Sequence, residues 1–117
     1  MLKRRKPSPT GIRTKPQARS AAHLQWVRGH VCAVEDDQCA GKIEAAHVRR
    51  GTDGGMGVKP SDHYVIPLCQ WHHAEQHRIG EGSFEQRYAV SMLRLAEELA
   101  RRSPALAKVQ PTSNEED

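Results

Sequence analysis

With 117 residues the chain has room for one domain, and a composition that is 27% charged with one Phe, two Tyr and two Trp leaves it a thin apolar core. Three cysteines cannot all pair in a closed disulfide framework, and no apolar run reaches the length of a membrane span. The start Met-Leu-Lys-Arg-Arg-Lys leads into Pro and Ser, so no signal peptide is expected, and a reducing cytoplasm, where thiols stay free to bind metal, is the expected compartment.

The formal net charge of +4 is unevenly spread. The first thirty residues contain Lys3, Arg4, Arg5, Lys6, Arg13, Lys15, Arg19 and Arg28 and no acid, which makes a polyanion the natural partner. Residues 1–19 mix these cations with Pro7, Pro9, Gly11 and Pro16 and read as a flexible basic arm. A folded domain is expected over 20–103 and a disordered acidic tail over 104–117, which closes on Asn-Glu-Glu-Asp.

Within the domain, Ser20 is positioned to cap a short helix carrying Leu24, Trp26 and Val27 on its apolar side, with Gly29 ending it. A turn rich in acids, Glu35, Asp36 and Asp37, joins Cys32 to Cys39. Ile43–Val48 and Tyr64–Leu68 read as two short strands, the second rich in β-branched and aromatic residues. Between them Gly51, Gly54, Gly55 and Gly57 lie in a long irregular loop of the kind that usually carries function. A helix is expected over about Gln70 to Ile79. Gly80 and Gly82 break it, and Ser83 with Gln86 forms a capping box for a last helix whose Phe84, Tyr88, Met92, Leu95 and Leu99 make a core stripe.

The side chains able to bind metal follow one order: Cys32, Cys39, His47, then Cys69-Gln-Trp-His72-His73-Ala-Glu-Gln-His77. His72 and His73 project about 100° apart on a helix, so they serve different ions. Cys69 and His72 have a knuckle spacing and complete, with Cys32 and Cys39, the closed tetrahedral set of a structural zinc. His30, two residues before Cys32, is an alternative fourth ligand. His73 and His77, four apart on one helix face, remain to chelate a second, catalytic divalent cation; alternatively they are solvated surface residues beside a single zinc. A metal staple of this kind supplies folding energy that so sparse a core lacks.

Glu44-Ala-Ala-His47-Val-Arg49, the glycine-rich loop, Ile66-Pro67-Leu68-Cys69 and the run His72-His73-x3-His77 together resemble the HNH endonuclease superfamily, whose ββα-metal motif wraps two strands and a helix around one catalytic ion. The runs Ala46-His47-Val48-Arg49 and Lys59-Pro60-Ser61-Asp62 are similar to those of small phage and prophage nucleases akin to the recombination-enhancement nuclease Ref. The resemblance covers residues 32 to 80 and implies an α+β domain stabilised by zinc. It further implies that His47 is a general base activating water and that His73 and His77 hold Mg²⁺ or another divalent ion. Phosphodiester hydrolysis would leave 5′-phosphate and 3′-hydroxyl ends.

Two positions depart from the family pattern. Many relatives carry an Asp or His ligand where this chain has Ala46, and the middle Asn of the family name is missing, which leaves Asp62 or His63 to orient His47. The expected substrate is DNA, single-stranded or duplex, held without sequence readout by the basic arm, Arg49, Arg50, Lys59 and Arg78. Phage or host recombination proteins are the partners the resemblance implies. Two rival readings share the zinc: a binding module that holds nucleic acid without cutting it, in which His47 is dispensable, and a protein-interaction domain acting through its last helix and acidic tail.

Overall fold

Val65-Ile-Pro-Leu-Cys69 is buried at all five positions and forms the central strand of the protein. In the computed structural model, which describes residues 18–53 and 59–107, it is β2 and pairs antiparallel with β1, Ile43–His47. Ala45 lies opposite Pro67 and His47 opposite Val65. Pro67 is tolerated there because its polar edge faces away from β1: its carbonyl oxygen accepts the Ala33 N–H at 2.7 Å.

Five helices surround this ribbon: α1 (Ala21–Arg28), α2 (Gln70–Ile79), α3 (Glu81–Tyr88), α4 (Met92–Arg102) and α5 (Pro104–Ala107). The domain is therefore α+β, as the sequence pattern predicts, and no helix among the described residues is long and apolar enough to cross a membrane. The core consists of Ala46, Val48, Ile66, Leu68, Phe84, Met92 and Ala96, together with Cys32 and Cys69. Burial alternates at the end of β1 and the residue after it, Ala46 and Val48 buried with His47 between them half-buried, which is the period-two pattern of an extended chain with one face inward.

The first helix follows expectation. The Ser20 hydroxyl accepts the His23 N–H at 3.2 Å, and Gly29 ends the helix. Its buried face, however, is formed by His23 and Val27, with Leu24 and Trp26 only half-buried. Helix α2 has the bounds read from the sequence.

The expected single last helix is instead two. Gly80, at φ 88°, closes α2 by donating its N–H to Gln76 and at once opens α3. Ser83 therefore lies inside α3 and caps nothing. The reason is tertiary: the Glu81 carboxylate accepts the backbone N–H groups of Arg49 and Arg50 at 2.8 and 2.9 Å and fixes the helix start three residues early. A second break falls at Ala89, at φ 53°, in the left-handed region. Glu85 bridges that break, its carboxylate accepting the Met92 N–H at 2.7 Å. The stripe remains core, although Ala96 is fully buried and Leu95 only partly.

Both domain edges extend further than the sequence suggests. Ala18 and Arg19, assigned to the arm, are hydrogen-bonded to Ser61 and Asp62. Pro104–Ala107, assigned to the disordered tail, forms a helix against α1 and α4 with Leu106 buried. The turn into it is held by the buried pair His23 Nδ1 and Ser103 Oγ, 2.8 Å apart. The rest of the arm (1–17), the loop centre (54–58) and the rest of the tail (108–117) lie outside the described residues.

Phe84 is fully buried between α2, β2 and α4, with its ring centroid 4.7 Å from that of Tyr88. Phe84→Ala is expected to cost about 3–5 kcal/mol of unfolding free energy, measured as a lowered urea midpoint with an unchanged slope.

Candidate functional site

Cys32 lies just beyond α1, Cys39 ends the acidic turn, Cys69 is the last residue of β2 and His72 is in the first turn of α2. Their ligand atoms all lie within 4.8 Å of one another. From His72 Nδ1 the Sγ atoms of Cys69, Cys39 and Cys32 are 3.2, 3.6 and 3.7 Å away. A tetrahedral ion with sulfur at about 2.3 Å and nitrogen at about 2.0–2.1 Å sets sulfur–nitrogen separations of about 3.5 Å, so the four residues could hold one metal ion. His30 is not part of the set; its Nδ1 lies 3.0 Å from the Trp26 carbonyl oxygen within α1 and its C-cap.

The local chemistry favours thiolate at this place. Cys69 is the N-cap of α2, and its sulfur accepts the His72 N–H at 3.4 Å. Burial alone raises such a thiol, but the amides of His72 and Ala40, the His72 ring and Cys39 outweigh it and bring Cys69 down to about 6. Burial pushes Cys32 up to about 11, so at neutral pH its thiol releases its proton to solvent only in exchange for a bound cation. The far nitrogen of His72, Nε2, is 3.2 Å from Asp36, the carboxylate that orients a ligating imidazole from behind. Asp36 was visible in the sequence only as one of three acids in the turn.

A second group of residues faces an open cleft of about 740 Å³. Its lining includes His47 from β1, Arg49 and Arg50 beyond it, Lys59 before β2, and His73 and His77 from α2. The structure thus brings six of the residues singled out in the sequence to one cavity. His72 and His73 do diverge, the first into the cysteine cluster and the second into the cleft.

The Nε2 atoms of His73 and His77 are 3.3 Å apart. Two nitrogens bound to one ion at about 2.0–2.1 Å are separated by about 2.9–3.4 Å, so this pair fits a shared cation. Glu44 lies 2.7 Å from His73 Nδ1, which fixes that ring with Nε2 directed at its neighbour, and the hydrogen bond from His73 holds Glu44 below the usual carboxylate range. Glu44 was overlooked as a site residue, although it opens the Glu-Ala-Ala-His run. Ala46, the position where a third ligand was missed, is wholly buried.

His47 Nε2 is 2.9 Å from Asp62 Oδ1. Between the two candidates for orienting His47, Asp62 therefore makes the contact. Asp62 is buried, which tends to raise its pKa, but the Ser20 N–H, His47 and Arg19 outweigh burial and hold it below the usual range. Arg78, expected to contact DNA, does not line the cleft; its guanidinium pairs with Glu75, which also binds Arg87 and Tyr88.

Fold and site together define a small α+β domain built around a cysteine–histidine cluster able to hold a metal ion, with a cationic, histidine-bearing cleft beside it. The chain belongs to the family described as protein of unknown function DUF968, whose model matches residues 8–106. It is also similar to the uncharacterized protein YdfU of Escherichia coli (strain K12), with 33% identity over 72 residues, which is 60% of this chain and 19% of that protein. The chain thus spans about a fifth of the length of that relative. No solved structure matches it.

Two outcomes follow from this geometry. Stripping metal with a chelator should lower the thermal midpoint steeply, and Cys69→Ser should reproduce that loss without chelator, both read by scanning calorimetry beside metal analysis. Asp62→Asn should cost about 1–3 kcal/mol near neutral pH, since it leaves buried partners poorly matched. Because the folded pKa of Asp62 is depressed, its contribution is present above the ordinary carboxylate value of about 3.9 and is lost as pH falls through the folded value. The stability gap between wild type and variant should therefore close on acidification below about pH 4.

Proposed function

We propose that the protein is a metal-dependent DNA endonuclease of the HNH, or ββα-metal, kind, with a structural zinc on Cys32, Cys39, Cys69 and His72. The observation that carries this reading is that His47, backed by the buried Asp62, lines the same cleft as the converging Nε2 atoms of His73 and His77. The order of β1, β2 and α2 along the chain supports it. Three thiolates and an imidazole suit zinc, a soft-tolerant ion without redox chemistry.

With Nε2 committed to Asp62, Nδ1 of His47 is the nitrogen that takes a proton from water. The hydroxide oxygen so generated attacks phosphorus while the bond to the 3′ oxygen breaks, leaving 5′-phosphate and 3′-hydroxyl ends. Asp62 fixes the ring and stabilises the imidazolium that forms. A divalent cation such as Mg²⁺ on His73 and His77 would supply Lewis-acid stabilisation of the charge developing on the phosphate. Glu44 keeps His73 in the tautomer that serves this purpose.

Arg49, Arg50 and Lys59 bind backbone phosphates around the scissile bond, and the cations of residues 1–17 extend that attraction. None of these contacts reads bases, so cleavage has low sequence specificity and falls steeply with salt, by about 0.9 in log–log slope per duplex phosphate neutralised. The cellular role proposed is phage recombination or related DNA processing in the cytoplasm, together with phage or host recombination proteins.

Purified protein is expected to cut single-stranded or duplex DNA with added Mg²⁺ or Mn²⁺, to be silent in EDTA, and to lose at least about 100-fold in rate on His47→Ala with zinc content and circular dichroism unchanged. If wild type and His47→Ala bind DNA equally and neither cuts, the reading is wrong and the domain is a binding module.

A further inference from the structure

Nothing in the sequence separates Arg19 from the other cations of the N-terminal segment, yet it is built into the site. Its Nη1 lies 3.3 Å from Asp62 Oδ1, the same oxygen that binds His47, and also donates to the Pro60 carbonyl; Nη2 donates to the Lys59 carbonyl at 3.2 Å. The residues on either side complete a strap. Ala18 donates its N–H to Ser61 Oγ at 3.0 Å and accepts the Asp62 N–H at 2.8 Å, and the Ser20 N–H reaches Asp62 Oδ2 at 2.8 Å. Every polar atom of the Asp62 carboxylate is thus held either by His47 or by the segment Arg19–Ser20.

We propose that Arg19 is a positioning residue for His47, acting through Asp62, and that it fastens the segment Ala18–Ser20 to the rim of the cleft. A planar guanidinium can bind a carboxylate and two carbonyl oxygens at once, which an ammonium cannot do in the same geometry. Three consequences follow. Asp62 keeps one rotamer, so His47 keeps one ring orientation. The backbone carbonyls of Lys59 and Pro60, which would otherwise turn negative dipoles toward the cleft rim, are neutralised. Arg19 also shares Oδ1 with the imidazole, so guanidinium and ring compete for one carboxylate oxygen.

This last effect gives a readout that loss of stability alone would not move. Besides Asp62 and Arg19, the ionisable groups that line the cleft with His47 are Lys59, His73 and His77, Glu81 on α3, and Arg49 and Arg50 in its own segment, none of which the substitution changes. In the zinc-loaded protein without added Mg²⁺, the NMR titration of the His47 ring should move to higher pH in Arg19→Gln than in wild type, with Arg19→Lys between them. The wild-type Arg19 guanidinium signals should titrate together with His47 and cease to do so in His47→Gln, which requires no Arg19 variant to fold. An unmoved His47 titration in a folded Arg19→Gln, or Arg19 signals indifferent to the ring, overturns the inference.

The consequence for rate rests on the nuclease reading: kcat should fall with KM little changed, the acid limb of the profile should move up in pH, and Lys should restore part of the loss. Were wild type to cut no DNA, that reading would fail while the two NMR measurements still decided the role of Arg19.

Discussion

The meeting of three sulfur atoms and one imidazole nitrogen at the junction of β2 and α2 is the constraint on which the rest of the structure depends. The stretch from Gly29 to Lys42 has no helix or strand of its own, and it is held by these side chains and a few backbone bonds: Ala33 to Pro67, Trp71 to Ala40, and the Cys69 N–H to Cys32 sulfur at 3.3 Å. Two of the four residues, Cys32 and Cys69, are also members of the apolar core. The cluster therefore joins the core to the irregular segment in a domain with few large apolar side chains to do so. Gly41 shows how closely the segment is drawn in, since a Cβ there would lie 2.3 Å from Gln70 Oε1, and its φ of 86° suits glycine.

From that junction α2 serves two sites at once. The roughly 100° step between successive helical residues sends His72 into the cluster and His73 into the cleft, so anchoring one fixes the other. The anchor is strengthened on the same helix face by Glu75, buried and paired with Arg78 and Arg87. Rigid placement matters for two imidazoles that must present nitrogens 3.3 Å apart, because a turn of either ring about its bond to the helix would separate them.

Carboxylates organise the cleft as much as its cations do. Glu44 orients His73, Asp62 orients His47, and Glu81 gathers the amides of Arg49 and Arg50 so that both arginines leave the strand end at fixed positions. Glu85 pairs with Arg50 at 3.1 Å while capping α4. Each acid is bound by a specific donor, so four carboxylates lie in or beside a cleft whose lining still includes Arg49, Arg50 and Lys59.

Helix α2 to the residue, both strands to within one residue at an end, the Ser20 cap and the four-residue cluster were legible in the sequence, because each rests on local spacing: period two in the strands, a cap before an apolar turn, a knuckle spacing before a helix. The early start of α3 was not legible, since it is set by Glu81 reaching across to Arg49 and Arg50 about thirty residues away, and neither was the break at the left-handed Ala89, which Glu85 spans by binding the Met92 N–H. The same holds for Pro104–Ala107, whose order comes from contact with α1. The sequence alone determined which four residues could hold a metal ion and that His73 lies outside that set, because helical geometry forbids His72 and His73 to share an ion. Only the tertiary structure decided what stands behind each imidazole, Asp36 behind His72, Glu44 behind His73, and Asp62 with Arg19 behind His47, because those partners lie 15 to 43 residues away and meet only when the strands pair and the strap closes.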